Sequence, residues 1–300
     1  MGKRKYHFLF VLVLFFLLFL TGCNNKMGND DVKIKTYQEL EYLDSKIINI
    51  ANKLNNISLQ GYTISSEEVA LGEEGSSSEE TSGKQGGNGS GSGEQQKQSN
   101  SQNGESGQNN KNNITVSQME QKTVLASDKN DINWNNIKSD IETINEVWSV
   151  VVLDLSNFNV NSEDILGFST ALDDCILNIR DENKIESLTN IAKLYSYIPK
   201  IEKTIPTEKN SQNIKQVKSN IINAYSLVEK EDWINVETNM NECEEIFANL
   251  LNDLEYIKNK EYKVKKTYIA IKELQNSLAY KDKDLFYVKY KNLMESVGRL

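Results

Sequence analysis

Histidine is all but missing from this sequence: its single copy, His7, sits near the N-terminus, and no imidazole follows it. Ser-His-Asp and Cys-His catalysis, His-ligated zinc and histidine-held haem are therefore removed together from residues 8–300. Proline is nearly as scarce. Pro199 and Pro206 lie in one connection, so no proline interrupts a helical pattern elsewhere. Three cysteines, Cys23, Cys175 and Cys243, are too few for a disulfide framework. Positive charge is in the minority, with 34 Lys and Arg against 43 Asp and Glu, which argues against nucleic acid as a partner. No apolar run reaches the roughly 20 residues that a spanning helix requires. Strand alternation is missing too, since the one strand-like run, VWSVVVLDL, is flanked by helical spacing.

What is present begins with a charged N-terminus. Lys3, Arg4 and Lys5 precede an apolar stretch over residues 8–20, the basic and apolar regions of an export signal. The stretch ends in Leu20-Thr21-Gly22-Cys23. Small Thr21 and Gly22 let a processing protease approach the backbone, and a cysteine thiolate is a nucleophile able to accept a lipid. This tetrapeptide resembles the lipobox of bacterial lipoproteins. The resemblance covers only about the first 25 residues and implies an address: cleavage before Cys23, lipid attachment at Cys23, and a protein held by its lipid on the extracytoplasmic face of the cell membrane. It implies no activity. Without residues 1–22, 31 Lys and Arg face 43 Asp and Glu, a net charge of −12.

Composition then divides the chain. Residues 23–35 read as the lipidated N-terminus and a short polar tether, and residues 36–71 as an amphipathic helix with its flank. Leu40, Leu43, Ile47, Ile50, Leu54 and Ile57 recur at spacings of three and four, with Thr36 placed as N-cap and Glu39 as its capping-box partner. Residues 72–113 consist almost wholly of Gly, Ser, Asn, Gln, Glu and Lys, which offer no apolar surface to offset the entropy of ordering. They read as a disordered linker, and as a flexible coil would span about 36 Å. An isolated helix of this length leaves its apolar stripe in water, so docking onto residues 114–300 is the expected arrangement. The alternative is a short parallel coiled coil, with residues 72–113 as a stalk.

From residue 114 the helical period returns. Ile137, Ile141, Ile144, Trp148, Val151 and Leu155 form one stripe; Ile165, Phe168, Leu172, Cys175 and Ile179 form the next. Leu188, Ile191, Tyr195 and Ile198 continue until Pro199, where the helix is expected to stop. Ile214, Val217, Ile221, Ala224 and Val228 follow, then a long stripe through Val236, Met240, Cys243, Phe247, Leu250, Leu254 and Ile257. Two further helices carry Ile271, Leu274 and Leu278, and Phe286, Tyr290, Leu293 and Val297. A faint repeat marks the turns: Leu177-x-x-Arg180-Asp181, Leu227-x-x-Lys230-Glu231 and Leu278-x-x-Lys281-Asp282. The expected fold is all-α, an antiparallel helical bundle or an array of helical hairpins, with a long disordered insert.

Chemistry is sparse in this pattern. Cys175 and Cys243 fall on apolar stripes, which favours two buried thiols, although an exported location also permits a disulfide between them. Residues 131–142, DINWNNIKSDIE, have oxygen ligands at EF-hand spacing but Asn136 where the turn glycine belongs, so Asp131 or Asn133 reads as a helix cap. The pairs Glu163-Asp164, Asp173-Asp174 and Glu244-Glu245 point different ways on a helix and read as solvated faces. Trp148, Tyr195 and Tyr225 are expected in the core. Tyr280, Tyr287 and Tyr290, interleaved with lysines, read as core with snorkelling charges, or else as a polymer-binding surface. Residues 258–300 carry eleven Lys and Arg against five acids, densest in KNKEYKVKK over 258–266. That segment reads as a solvated helix face, with anionic headgroups or wall polymer as the alternative.

No catalytic, metal or cofactor residue is assigned. The chain is expected to be a non-enzymatic binding or scaffolding module at the cell envelope. Its expected partners are the membrane, through the lipid on Cys23, and an envelope protein or anionic wall polymer. The architecture resembles that of helical lipoproteins of Gram-positive bacteria. The alternative function is a solute-binding lipoprotein of a transporter, which would need two α/β lobes.

Overall fold

In the computed structural model the described residues are 29–59, 123–205 and 210–300. The stretch read as an export signal, Cys23 and the low-complexity tract over residues 72–113 lie outside them. Apolar residues at helical spacing form helices throughout: α1 (Asn29–Lys53), α2 (Trp134–Leu155), α3 (Ser162–Arg180), α4 (Lys184–Tyr195), α5 (Ile198–Glu202), α6 (Ser211–Val228), α7 (Trp233–Asn252), α8 (Leu254–Ser277) and α9 (Lys283–Val297). A single 3-10 turn, Leu278–Tyr280, separates α8 from α9. No strand occurs among the described residues, and the run VWSVVVLDL is helical within α2. The fold is all-α.

Short polar residues set the helix starts. Asn133, Asn161, Asn183, Asp232, Asp253 and Asp282 each accept a backbone N–H from the first turn that follows. Such caps contribute about 1 kcal/mol apiece. Three of them stand directly after a residue in the left-handed region: Glu182 before Asn183, Glu231 before Asp232 and Lys281 before Asp282. These are the hairpin turns α3–α4, α6–α7 and α8–α9. The repeat visible in the sequence marks the right turns in a drifting register, because Leu177, Leu227 and Leu278 stand five, four and three residues before the left-handed position.

Three expected boundaries differ. Thr36 does not cap α1; the helix begins at Asn29, inside the stretch read as tether, and the Thr36 hydroxyl donates to Val32 O at 2.8 Å. A threonine within a helix bonds back one turn in this way, and its cap potential is lost. Pro199 does not end α4, which stops at Tyr195, but sits in the first turn of α5, where its missing N–H has no helical partner to lose. The stripe from Val236 to Ile257 is two helices, broken where Asp253 closes α7 and caps α8. Leu254, on the new helix, is 82 % exposed.

Consecutive helices pack as antiparallel neighbours, α6 against α7 most extensively, and α4 and α9 flank α6. Helix α1 packs along α2 and α4 and meets α6 through its side chains. Its pairings with α6 run in step, Glu41 with Lys215, Asp44 with Lys218 and Ala51 with Tyr225, so the two helices are parallel. Helices α1, α3, α6 and α8 therefore start at one end of the molecule, and the three hairpin turns lie at the other.

The apolar stripe of α1 is wholly committed to this core. Leu40, Leu43, Ile47, Ile50 and Leu54 are inaccessible to solvent, and Ile57 is buried just beyond the helix. At its C-terminal end Asn55 donates to the Tyr225 hydroxyl at 2.7 Å, which itself donates to Ala51 O at 3.1 Å and stacks on Tyr290 with ring centroids 4.3 Å apart. Docking of α1, rather than a stalk, is the arrangement. Two outcomes follow from it. Ile47→Ala should cost about 2–5 kcal/mol in denaturant unfolding, whereas exposed Ile34→Ala should change stability by less than about 0.5 kcal/mol. A chain of residues 114–300, lacking α1, should aggregate or lose its cooperative melt.

Candidate functional site

The residues assigned from sequence occupy different places. Cys23 lies outside the described residues. Cys175 on α3 and Cys243 on α7 are free, buried thiols, and burial pushes both well above the ordinary thiol range. Protonated thiols of this kind are poor nucleophiles. Asn133 caps α2, with its side chain accepting from Asn136 N at 3.1 Å, while Ile137 of the same segment is in the core. Asp174 pairs with Lys193 at 3.1 Å and Glu244 with Lys272 at 2.8 Å, across neighbouring helices. Trp148, Tyr195 and Tyr225 are buried, and so are Tyr287 and Tyr290, while Tyr280 of that trio is exposed. The polymer-binding surface considered for those tyrosines is therefore not assembled. Among the described residues, no group of three His, Cys, Asp or Glu is placed to hold a metal, and no helix is long and apolar enough to cross a membrane.

The most unusual chemistry lies inside, where α1, α4, α5 and α6 meet. Asp44, 1 % exposed, accepts from Lys218 Nζ at 2.7 Å and from the Tyr195 hydroxyl. One turn away, buried Lys215 donates to Glu41 and stands 3.9 Å from Glu202. Glu202 accepts from the Ser211 hydroxyl at 2.5 Å. Burial alone would raise the Asp44 carboxyl, but the Lys218 and Lys215 ammoniums outweigh it and hold it below the usual range. For Glu202 the balance reverses, and burial keeps it above the usual range despite Lys215 and Ser211. Burial opposes the charge on Lys215, yet Asp44, Glu41 and Glu202 around it raise it on balance.

Sequence reasoning missed this cluster. The available signal was position: Asp44 falls between Leu40 and Ile47 on the apolar face of α1, and Lys218 follows Val217 on that of α6. A charge at a core position of a helical period requires an opposite charge nearby. The cluster ties α1, α4, α5 and α6 to one another.

The surface carries charge of two kinds. At the end with the hairpin turns, lysines are tied across helices: Lys184 to Glu229 at 2.8 Å, Lys283 to Glu231 at 3.0 Å and Lys138 to Glu182 at 2.7 Å. Burial would raise Glu229, but the hydrogen bond and charge of Lys184 outweigh it and hold the carboxyl low. Helix α8 differs. Val264, Thr267, Ile271 and Leu274 face the core, and the opposite side is open. There the exposed side chains of Lys258 and Lys266 make no ion pair among the described residues, and Lys265 pairs with Glu261 one turn earlier. Between α8 and α9 a shallow cleft of about 300 Å³ is lined by Lys266, Glu273, Glu295 and Arg299. Comparison with protein families, with characterised proteins and with solved structures finds no match.

The two buried carboxylates should respond oppositely to pH. Asp44 is held low, so its contribution is complete above its unfolded value near about 4 and fades as pH falls through the lower folded value. Asp44→Asn should therefore cost about 3–5 kcal/mol at pH 7 and progressively less below about pH 4. Glu202 is held high, so its ionised form is a liability that disappears on acidification. Glu202→Gln should raise the melting temperature at pH 7, with the advantage gone by about pH 4. Equal, pH-independent effects of the two changes would contradict these assignments.

Proposed function

We propose that this chain is an extracytoplasmic lipoprotein, anchored to the cell membrane through Cys23, whose helical body is a non-enzymatic binding or scaffolding module of the cell envelope. The observation that carries the reading is the run from Lys3 to Cys23: basic residues, a short apolar stretch and the Leu20-Thr21-Gly22-Cys23 box in the order that export and lipid attachment require. The fold is consistent with it. Helix α1 begins at Asn29 and is docked, so a lipid on Cys23 would hold the body within a few residues of the bilayer rather than at the end of a stalk. The chemistry of the body supports binding over turnover. Its buried charges are locked against one another, its described thiols are buried, and carboxylates such as Glu244 pair with lysines.

A transporter's solute-binding lipoprotein would share the anchor but would enclose its ligand between two α/β lobes. The described residues are helical, with no such pair of lobes. Partners for the body follow from charge and form: an envelope protein, or an anionic wall polymer against the basic C-terminal helices.

Cys23→Ala is the test of the anchor. The variant should leave the membrane fraction or accumulate with its signal uncleaved, while its helical content by circular dichroism stays that of the parent. Normal membrane retention of a processed Cys23→Ala protein would overturn the proposal.

A further inference from the structure

We infer that the exposed face of α8 rests on the surface of an anionic lipid bilayer, a reading that builds on the lipid anchor proposed above. The face has an unusual composition. Leu254, Tyr262 and Ile269, exposed by 82 %, 79 % and 57 %, stand on one side of the helix and alternate with Lys258, Lys265 and Lys266. At 100° per residue these six positions fall within one third of the helix circumference, opposite the buried face of Val264, Thr267, Ile271 and Leu274; Glu255 and Glu273 share the sector, Glu273 paired with Lys289, and Glu261 at its edge pairs with Lys265. Solvated faces carry lysine freely, but they rarely interleave it with leucine, isoleucine and tyrosine at two-turn intervals.

Two observations select lipid over a soluble polyanion or a protein. The first is chemical. Lysine heads suit phosphate headgroups, aliphatic tips of Leu254 and Ile269 suit the acyl boundary, and tyrosine prefers the interface between them. A hydrated polymer would use the lysines and leave the apolar side chains in water.

The second is positional. Helix α8 starts at the same end of the molecule as α1: Tyr37 and Glu41 on α1 meet Ser211 and Lys215 on α6, and Asn210, just before α6, donates to Asp253, the cap of α8, at 3.0 Å. The C-terminus closes the same end, with Lys260 and Tyr256 donating to Leu300 O. Only residues 24–28 separate Cys23 from α1, and six residue steps reach no more than about 21 Å. An anchor at Cys23 therefore brings this end, with Leu254, Lys258 and Tyr262, to the headgroups. Laid down from this end, α8 runs along the bilayer with its open face on the headgroups, whereas at the opposite end the lysines are already paired with Glu229, Glu231 and Glu182.

The test uses the full chain isolated from membranes and carrying Tyr262→Cys, labelled there with an environment-sensitive fluorophore. Cys175 and Cys243 are buried and do not compete for the label. A second chain carries the label at Ile234→Cys, equally exposed but at the opposite end. Each is placed in vesicles of phosphatidylcholine with or without phosphatidylglycerol. The label at position 262 should shift to the blue and lose access to an aqueous quencher in anionic vesicles only, and the label at 234 in neither. Adding Lys258→Glu, Lys265→Glu and Lys266→Glu should abolish the shift while the protein stays membrane-bound.

A label at 262 that stays in water in anionic vesicles, or that responds to soluble polyglycerol phosphate instead, would overturn the docking and leave the anchor standing. A protein recovered from the soluble fraction, with no diacylglyceryl mass on Cys23, would overturn the anchor itself. The label at 262 then decides the docking separately, on anionic vesicles added from outside.

Discussion

Asp44 places a carboxylate where the period of α1 calls for an apolar side chain, and the structure closes over it only because Lys218 and Tyr195 arrive there together. The three residues lie on α1, α4 and α6, and more than 150 residues separate the first from the last. A buried pair of this kind adds little net stability, because desolvation offsets most of its attraction. Its effect is on choice. Leucines and isoleucines on α1 drive it out of water in any register, whereas the carboxylate accepts only the register that sets it against Lys218. Slipping α1 by one turn would set Asp44 against Lys215 and take the carboxylate from Lys218, or in the other direction set Asp44 against Ile221, and either leaves a buried charge unmatched at a cost of several kcal/mol.

That choice orients everything else. With α1 and α6 fixed parallel, the antiparallel hairpins place all their turns at one end and the starts of α1, α6 and α8 at the other. The two ends have different chemistry. Lysines among the turns are bound to acidic residues of neighbouring helices, which knits the hairpins together. Lysines along the open face of α8 are turned toward solvent beside exposed apolar side chains. The chain carries a net charge of −9, yet Lys258 and Lys266 on this face make no ion pair among the described residues, while Lys265 pairs with Glu261 one turn away.

Much of this was legible in the sequence, for a plain reason. A core built from helices writes its period directly, so Leu40 to Ile57, Ile137 to Leu155 and Phe286 to Val297 could be assigned to buried faces one residue at a time. The period carries no punctuation. It ran through Asp253, because Leu254 and Ile257 continue the spacing of α7 while standing on a new helix. It also hid the earlier start of α1, since Thr36 resembles a cap wherever it stands. Least legible were the groups that act in pairs. Nothing local to Asp44 reveals that its partner is Lys218 rather than any of the other lysines, because that partnership exists only after α1 and α6 have met.

Native-state hydrogen exchange on the intact chain addresses the docking of α1 most directly. Helix α1 carries its own apolar stripe but reaches α6 only through tertiary contact, so its protection reports that contact and not helix propensity. The amides of residues 43–51 should exchange only by global unfolding, at the free energy measured for residues 217–225 of α6. Exchange of residues 43–51 at a markedly lower free energy, with α6 still protected, would show that α1 is a detachable element and that the Asp44 cluster does not unite the fold.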